Sequence, residues 1–344
     1  IEMAEVEVIW ATMLTYIAIC IIIGYFASKR VKTSADFAVG GHALGPWVTT
    51  LAYVATFFST VSIVGGIGMT YADGYVYLLW GPFGWALMAG LFGPIIAWRF
   101  RRVKCPTTAA FFNARYGSAT LQAFTGATNI FTWILWVVLQ LKAMAIVFSL
   151  ITGAPYEWGV VIATVVTVIY TGLGGFLAES WTDVLQFIVF FVAAVLGGIF
   201  VLSMFGFNLE ALHKAAAAIA TPIIAGGKPV APGTLVDPFA KGLIPPVFVL
   251  SNVIGWGLAS PVVPHHLIRM QGAKSPRVAV NMFLGWILLG IIYISMSFIG
   301  LGIRTLLPTI PAGKDTDWAF PWFVVLRERS VSHTHTKESA HTLR

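Results

Sequence analysis

Polar residues in four places interrupt long apolar stretches of this sequence, and their chemistry suits the binding of a small ion or solute. The first place is Thr49–Gly74, where Ser59 and other hydroxyl residues precede Gly65, Gly66 and Gly68. Glycine costs about 1 kcal/mol per residue in a helix interior, and an unwound segment survives in hydrocarbon only where it lines a protein cavity. Such a break exposes carbonyl oxygens that hold Na⁺ and a half-helix N-terminus that holds an anion. The alternative is an unbroken helix that packs closely through its small residues.

The second place is Lys142, in the phrase LQLKA, with Gln140 two residues earlier. A charge at this depth costs at least ~2.5 kcal/mol on insertion scales, so it needs a partner. The functional interpretation is a counter-charge for a substrate carboxylate or a cation beside an ion site. The alternatives are snorkelling or pairing within the bundle. Gln140 lies on a different helix face, because residues two apart do not face each other.

The third and fourth places are Gly174–Gln186 and Ser251–His266. In the first of these, a glycine pair ends one helix and Trp181–Asp183 opens the next, so Asp183 either caps that helix or attracts cations. Residues that break or kink helices interrupt the other: Asn252, Gly255, Gly257, Pro261 and Pro264. Corresponding breaks in two halves of a chain indicate a transporter site, whereas the alternative is a Pro-kinked helix with a structural Trp256.

Long apolar runs must position these residues. The chain has 344 residues, of which 58% are hydrophobic and only 10% charged, whereas soluble domains carry about 25% charged residues. We therefore predict an all-α polytopic membrane protein, because no run alternates with the period of a membrane β-strand. About eight runs are long enough to span a bilayer: 8–27, 47–72, 74–98, 118–152, 158–178, 184–209, 242–264 and 278–303. Cys20 and Cys105 indicate neither a disulfide framework nor a metal site, and no nucleophile–base constellation suggests an enzyme.

The distribution of basic residues predicts the orientation. One set of alternate loops holds eleven of them: Lys29, Arg30, Lys32, Arg99, Arg101, Arg102, Lys104, Arg115, Arg269, Lys274 and Arg277. The other set holds five: Lys214, Lys228, Lys241, Arg304 and Lys314. The positive-inside rule places the eleven in the cytoplasm and the N-terminus outside, in the plasma membrane. The net charge of +7 is thus explained by topology and the lipid bilayer, and it does not indicate a nucleic-acid partner.

Taken together, these motifs resemble the sodium/solute symporter family, whose known fold is the leucine-transporter-like inverted repeat. The most specific match is GGFLAESWTDVLQ, which is similar to the family's GGxxAxxWTDxxQ at the start of core helix five. The helix-six pattern is present as Trp256–Leu258 and Pro264-His265, and the broken first core helix as Ala55–Thr60. The resemblance covers the chain from about residue 5 to about residue 325.

The resemblance implies Na⁺ as the coupling ion and a small molecule as the transported substrate. It places Na⁺ on the backbone carbonyls of Ala55 and Phe58 and on hydroxyls of the eighth core helix, with Asp183 on the cytoplasmic ion path. The residues expected at the substrate, including the two polar residues of the fourth apolar run, are Ser59, Gln140, Lys142, Trp256, Ser260 and Pro264.

Two departures from the proline symporters in this family place proline in doubt, because Phe57 stands where they have aspartate and Ser260 where they have tyrosine. The phrase around Lys142 looks like that of some organic-acid carriers and of the transporter domain of certain bacterial sensor kinases. We therefore expect Na⁺-coupled import of a monocarboxylate, pantothenate or an amino acid. The alternatives are a transporter-like sensory domain of a signalling protein and a non-functional N-terminal fragment.

The resemblance also predicts how the chain is divided. Residues 1–46 form an extra helix and a cytoplasmic loop, 47–209 the first repeat, 210–241 an external loop and 242–325 part of the second repeat. The match ends at Val325, before the eighth core helix, so we expect an incomplete Na⁺ site and no transport by residues 1–344 alone. Residues 326–344 form an atypical polar tail, in which His333, His335 and His341 read better as part of a frame-shifted or cloning-derived segment than as a metal tract.

Overall fold

The protein is a bundle of helices in a computed structural model that describes residues 3–58, 60–220, 230–310, 314–324 and 326. Within those residues the only β-type pairing is an isolated bridge between Leu44 and Ala273, and the all-α prediction is confirmed. The long helices are α1 Met3–Ser28, α6 Gly84–Arg101, α8 Ala119–Thr152, α9 Tyr156–Ser203 and α14 Gly285–Leu306. The shorter ones are α2 Ser34–Val39, α3 Pro46–Phe57, α4 Thr60–Asp73, α5 Val76–Leu78, α7 Thr108–Tyr116, α10 Leu209–Ala217, α11 Pro246–Ala259, α12 Pro264–Gly272 and α13 Pro276–Asn281.

Five helical segments of the described chain are long and apolar enough to cross a bilayer, and two bent helix pairs raise the number to seven. The helices on either side of the first break, α3 and α4, meet at 52°, and the helix pair around the second break, α11 and α12, is bent by 43°. The run expected at 158–178 corresponds in part to a shorter apolar helix, Tyr156–Ile169. Seven of the eight expected runs therefore correspond to candidate spans, and the eighth corresponds in part to this shorter segment.

A glycine bends α9 where the sequence predicted the end of one helix. Gly175 has φ 55° and ψ −144°, and a Cβ there would lie 2.5 Å from the carbonyl oxygen of Phe37. Only glycine fits this conformation and this close approach. The helix resumes directly after Gly175, so the prediction that Trp181–Asp183 opens a helix is wrong. Asp183 lies within the continued helix and does not cap it.

The glycines of α4 serve packing rather than the break. A Cβ on Gly68 would lie 2.7 Å from the carbonyl oxygen of Thr316, and one on Gly66 would lie 2.8 Å from Cε of Met296. Both glycines are within regular helix, and the helix is interrupted before them, at Phe58, within the predicted Ala55–Thr60. The interpretation of close packing through small residues holds for these two positions, because the missing side chains let neighbouring segments approach.

Helix α14 lies at the centre of the bundle, packed against α4 and α9. Its buried side chains include Leu289, Ile292, Met296 and Ile303, each at most 2% exposed. At one end of the bundle, the Leu44 end, Leu44 N–H donates to the Gly272 carbonyl at 3.0 Å. At the other, the Tyr75 end, Tyr75 N–H donates to the Leu235 carbonyl at 2.9 Å. The two bent pairs run between these ends and carry the candidate site.

Candidate functional site

The break between α3 and α4 lies at Phe58, whose backbone is extended with φ −102° and ψ 104°. Its N–H donates to the carbonyl oxygen of Ala55 at 2.9 Å, and both residues are almost fully buried. A carbonyl oxygen has two lone pairs, so that of Ala55 retains one for a further partner. The structure thus brings the two predicted Na⁺ ligands together at the break. Ser59, the predicted substrate-proximal residue, lies outside the described residues.

The joint between α11 and α12 is formed by Ser260–Pro264. A short 3₁₀ turn covers Ser260–Val262, and Val263 is extended with ψ 142° before α12 begins at Pro264. The Ser260 hydroxyl is buried and has no hydrogen-bond partner among the described residues. Trp256, one turn earlier, is 51% exposed and packs against Trp85 with ring centroids 5.8 Å apart. Of the predicted substrate residues, Ser260 and Pro264 therefore lie at the joint, and Trp256 stands beside it.

An aromatic cluster connects the break to the joint. The ring of His266, on the first turn of α12, lies 4.4 Å from Phe57 and 5.0 Å from Tyr53. Phe57 also contacts Trp286 of α14, with ring centroids 4.9 Å apart. The neighbouring His265 lies 4.2 Å from His266. Sequence reasoning did not single out His266, although a second histidine directly after the Pro264-His265 motif was a visible signal.

A buried arginine joins three helices on the Leu44 side of the joint. Arg269 of α12 is 2% exposed, and its guanidinium donates to Ser180 Oγ at 2.8 Å, to Glu179 Oε1 at 3.0 Å and to Thr56 Oγ1 at 3.2 Å. It also forms an ion pair with Asp183. The interpretation of Arg269 as a loop charge is therefore wrong. The carboxylate of Asp183 is bound to a cation of the chain itself, which its position in the sequence did not reveal.

Lys142 lies on α8, and its charge acts on Asp317, in the segment that follows α14. Burial and the neighbouring Asp315 raise the pKa of Asp317, whereas the charge of Lys142 lowers it. The carboxylate of Asp317 lies over α4, 3.8 Å from the position of a Cβ on Gly65. Lys142 is thus near enough to Asp317 for its charge to act on that carboxylate. Gln140 is half-buried on the same helix.

The predicted residues therefore separate into three groups. Ala55, Phe58, Ser260 and Pro264 belong to the break and the joint, Asp183 belongs to the Arg269 cluster, and Lys142 lies with Asp317. Among the described residues no group of three or more His, Cys, Asp or Glu side chains is arranged to hold a metal ion. The site offers a small ion the backbone carbonyl oxygens of a broken helix, which suit a hard monovalent cation.

Comparison with known proteins agrees with this architecture. The model of the Sodium:solute symporter family matches residues 37–323. The chain is 28% identical over 294 residues to the uncharacterized symporter YwcA of Bacillus subtilis (strain 168), covering 84% of this chain and 54% of that protein. It is 30% identical over 281 residues to the high-affinity proline transporter PutP of the same organism, covering 78% and 55%. The chain thus spans about half the length of these relatives.

A solved structure is similar in fold. The substrate-bound outward-open state of a Na⁺-coupled sialic acid symporter superposes with a TM-score of 0.77, covering 92% of this chain and 66% of that one. The sequence identity is 19%, so the similarity supports the fold alone. It confirms the predicted leucine-transporter-like architecture.

Proposed function

The chain belongs to the sodium:solute symporter family, whose model matches residues 37–323, and on that premise we propose that it imports a small organic anion or zwitterion together with Na⁺. The observation that carries the proposal is the meeting of the two broken spans. Phe57, the last residue of α3, contacts His266 at the start of α12 with ring centroids 4.4 Å apart. Two helix breaks in one interior place exposed backbone carbonyls and helix ends where an ion and a solute can bind side by side.

Na⁺ binds at the break in this proposal, on the carbonyl oxygens of Ala55 and Phe58. Both residues are buried, so an ion there loses its water and interacts strongly with the carbonyl dipoles. Asp183 acts on the ion path, where the ion and Arg269 are alternative partners for one carboxylate. Because Asp183 is paired with Arg269, a passing cation has to displace the guanidinium before it can bind this carboxylate.

The solute binds beside the ion, at Ser260 and Pro264 of the joint, and we keep Ser59 as a substrate residue on the sequence resemblance alone. Trp133 of α8 contacts His265 with ring centroids 4.8 Å apart, and Lys142 lies nine residues later, about 13.5 Å along the helix. Nine residues are two and a half helical turns, so Lys142 lies on the face of α8 opposite to Trp133. In this proposal its exposed positive charge attracts the carboxylate of the solute. Such a carboxylate would compete with Asp317 for the lysine. Gln140 and Trp256 would border the solute.

The Arg269 cluster closes the path at the Leu44 end in this proposal. Its hydrogen bonds join α12 to Thr56 of α3 and to Ser180 of α9. These helices come from both predicted repeats, 47–209 and 242–325, and alternating access requires one repeat to move against the other. Opening at this end therefore requires the hydrogen bonds of Arg269 to separate. The distribution of basic residues makes the Leu44 end cytoplasmic and the N-terminus external.

A sensory domain is the second candidate, favoured by the phrase around Lys142. A sensor of this architecture would bind its solute in the presence of Na⁺ without moving it. Uptake separates the two functions. Because residues 1–344 span about half the length of the curated relatives and are not expected to transport alone, uptake is measured with this chain as part of a protein of the relatives' full length. That purified protein in proteoliposomes should accumulate a radiolabelled amino acid or monocarboxylate under an inward Na⁺ gradient and not under an equal K⁺ gradient. Na⁺-dependent binding without accumulation would favour the sensor, and neither binding nor accumulation would contradict both.

A further inference from the structure

The hydrogen bond of His266 to the backbone fixes the chemistry of its other nitrogen. Nδ1 lies 2.5 Å from the carbonyl oxygen of Ser260. A carbonyl only accepts, so Nδ1 must carry the proton. His266 is 2% exposed, and burial of a second positive charge three residues from Arg269 would be unfavourable. The imidazole is therefore neutral, and Nε2 is an unprotonated acceptor.

That acceptor has no donor in the described part of the chain. Nε2 of His266 is buried and makes no hydrogen bond, and the neighbouring Tyr53 hydroxyl does not donate to it although the two rings are 5.0 Å apart. The hydroxyl of Ser260 and Nδ1 of His265 are also buried and unpartnered among the described residues. Buried polar atoms are nearly always satisfied in folded proteins. These atoms can therefore bind a polar group that the described residues do not supply.

Among the described residues the joint offers one group that can only accept, His266 Nε2, and no free cation, which limits the group that can bind at this nitrogen. Arg269, the nearest guanidinium, is engaged with Asp183 and Glu179. A carboxylate oxygen facing Nε2 would bring two lone pairs together. An N–H or O–H group would instead be bound by Nε2, with the Ser260 hydroxyl adding a further acceptor.

We propose that the α11–α12 joint is a subsite for the hydrogen-bond-donating end of the solute, with His266 Nε2 as its acceptor. The inference rests on the proposed symport and names its substrate class: a solute with an ammonium, amine or hydroxyl group near a carboxylate, rather than a carboxylate without such a donor. The donor end lies at His266. His266 is thereby a specificity residue.

The first step of the test is to identify the solutes. Proteoliposomes of the purified protein are given an inward Na⁺ gradient and a defined mixture of amino acids, 2-hydroxy acids and donor-free acids such as pyruvate and acetate. Mass spectrometry then identifies what accumulates. The subsite predicts accumulation of donor-bearing solutes. Accumulation of pyruvate or acetate alone would overturn the subsite and leave symport intact, whereas no Na⁺-driven accumulation of any solute would overturn the proposed function as well.

The second step uses two variants, each of which keeps a hydrogen-bonding group at the position of one ring nitrogen of His266. His266→Asn keeps a donor at the position of Nδ1 for the Ser260 carbonyl and removes the acceptor. His266→Gln keeps an amide at the position of Nε2 and loses the bond to Ser260. Affinities are compared for matched pairs, L-proline with N,N-dimethyl-L-proline and L-lactate with pyruvate.

The wild-type protein should prefer the donor-bearing member of the transported pair by about tenfold, the size expected for one buried hydrogen bond. The preference should disappear in His266→Asn and persist in His266→Gln. A preference that persists in His266→Asn and disappears in His266→Gln would show that the histidine acts only through Ser260, and would overturn the inference. Equal affinities of the wild-type protein for both members would overturn it too.

Discussion

The rings of Phe57 and His266 lie with their centroids 4.4 Å apart, although they come from opposite halves of the chain. Each belongs to a helix that borders a backbone break, Phe57 at the end of α3 and His266 in the first turn of α12. Their contact places the two breaks in one interior. The proposed ion site, the solute site and the Arg269 cluster are all arranged around this contact.

The Arg269 cluster should be essential for stability. Replacement by Met leaves Asp183 and Glu179 without their cation, and breaking a buried pair from one side costs about 3–5 kcal/mol. We expect Arg269→Met to lower the thermal unfolding midpoint strongly. The double variant Arg269→Met/Asp183→Asn should recover part of the loss, because it removes the uncompensated charge.

Lys214→Met is the matched control for the arginine. Lys214 pairs with Glu210 at 2.6 Å, but the two side chains are 76% and 71% exposed. An exposed pair contributes roughly 0–1 kcal/mol, so this variant should unfold at nearly the wild-type temperature. Equal decreases in the unfolding temperature of Lys214→Met and Arg269→Met would contradict the account of the cluster.

Lys142 and Asp317 should have opposite effects on solute affinity. If Lys142 binds a solute carboxylate, Lys142→Met removes the positive charge that attracts the solute and should weaken its binding. Asp317→Asn removes the competitor for the lysine and should strengthen it. Solute KM values in proteoliposomes measure both. Unchanged KM values in Lys142→Met, with a lowered unfolding temperature, would instead assign the lysine a structural role.

Two glycines of α14 test the close packing of the bundle centre. A Cβ on Gly300 would lie 2.6 Å from the carbonyl oxygen of Ile67 on α4, whereas a Cβ on Gly290 meets nothing within 4 Å. Gly300→Ala should therefore force the helices apart and destabilise the protein. Gly290→Ala should be neutral or stabilise by roughly 0.5–1 kcal/mol, as expected for Ala in a helix interior. Similar unfolding temperatures for both variants would contradict the observed packing.

The orientation can be tested with single cysteines at two exposed positions. The predicted topology places Lys214 outside the cell and Arg102 in the cytoplasm. An impermeant thiol reagent should label Lys214→Cys in intact cells and Arg102→Cys only after the membrane is opened. The native Cys20 and Cys105 are both buried and should contribute little background. The reverse pattern of labelling would invert the topology.

The helix breaks could be predicted from the sequence because they depend on local residue types. Gly175 adopts a conformation that favours glycine, and Pro261 and Pro264 each lack a backbone N–H, so the bends of α9 and of α11–α12 could be predicted from residue types. The role of the glycines of α4 could not be decided from the sequence, because Gly68 is approached by Thr316 from a distant part of the chain.

The contacts of the charged and aromatic side chains could not be predicted in the same way. The pairing of Arg269 with Asp183 and the contact of His266 with Phe57 join residues that are far apart in sequence. Arg269 was interpreted as a loop charge because basic residues cluster near the ends of spans. What separates a loop charge from a buried one is the presence of a partner, which only the fold reveals.

The central claim, that Na⁺ and the solute bind together and move together, is tested most directly by ²²Na⁺ flux. Proteoliposomes that contain the purified protein are prepared with no internal Na⁺. External ²²Na⁺ is then added, either with or without the solute identified by uptake. The account predicts that the solute accelerates ²²Na⁺ entry, and that Na⁺ and solute raise each other's affinity by the same factor, as linkage requires. A ²²Na⁺ flux that is the same with and without the transported solute would contradict it.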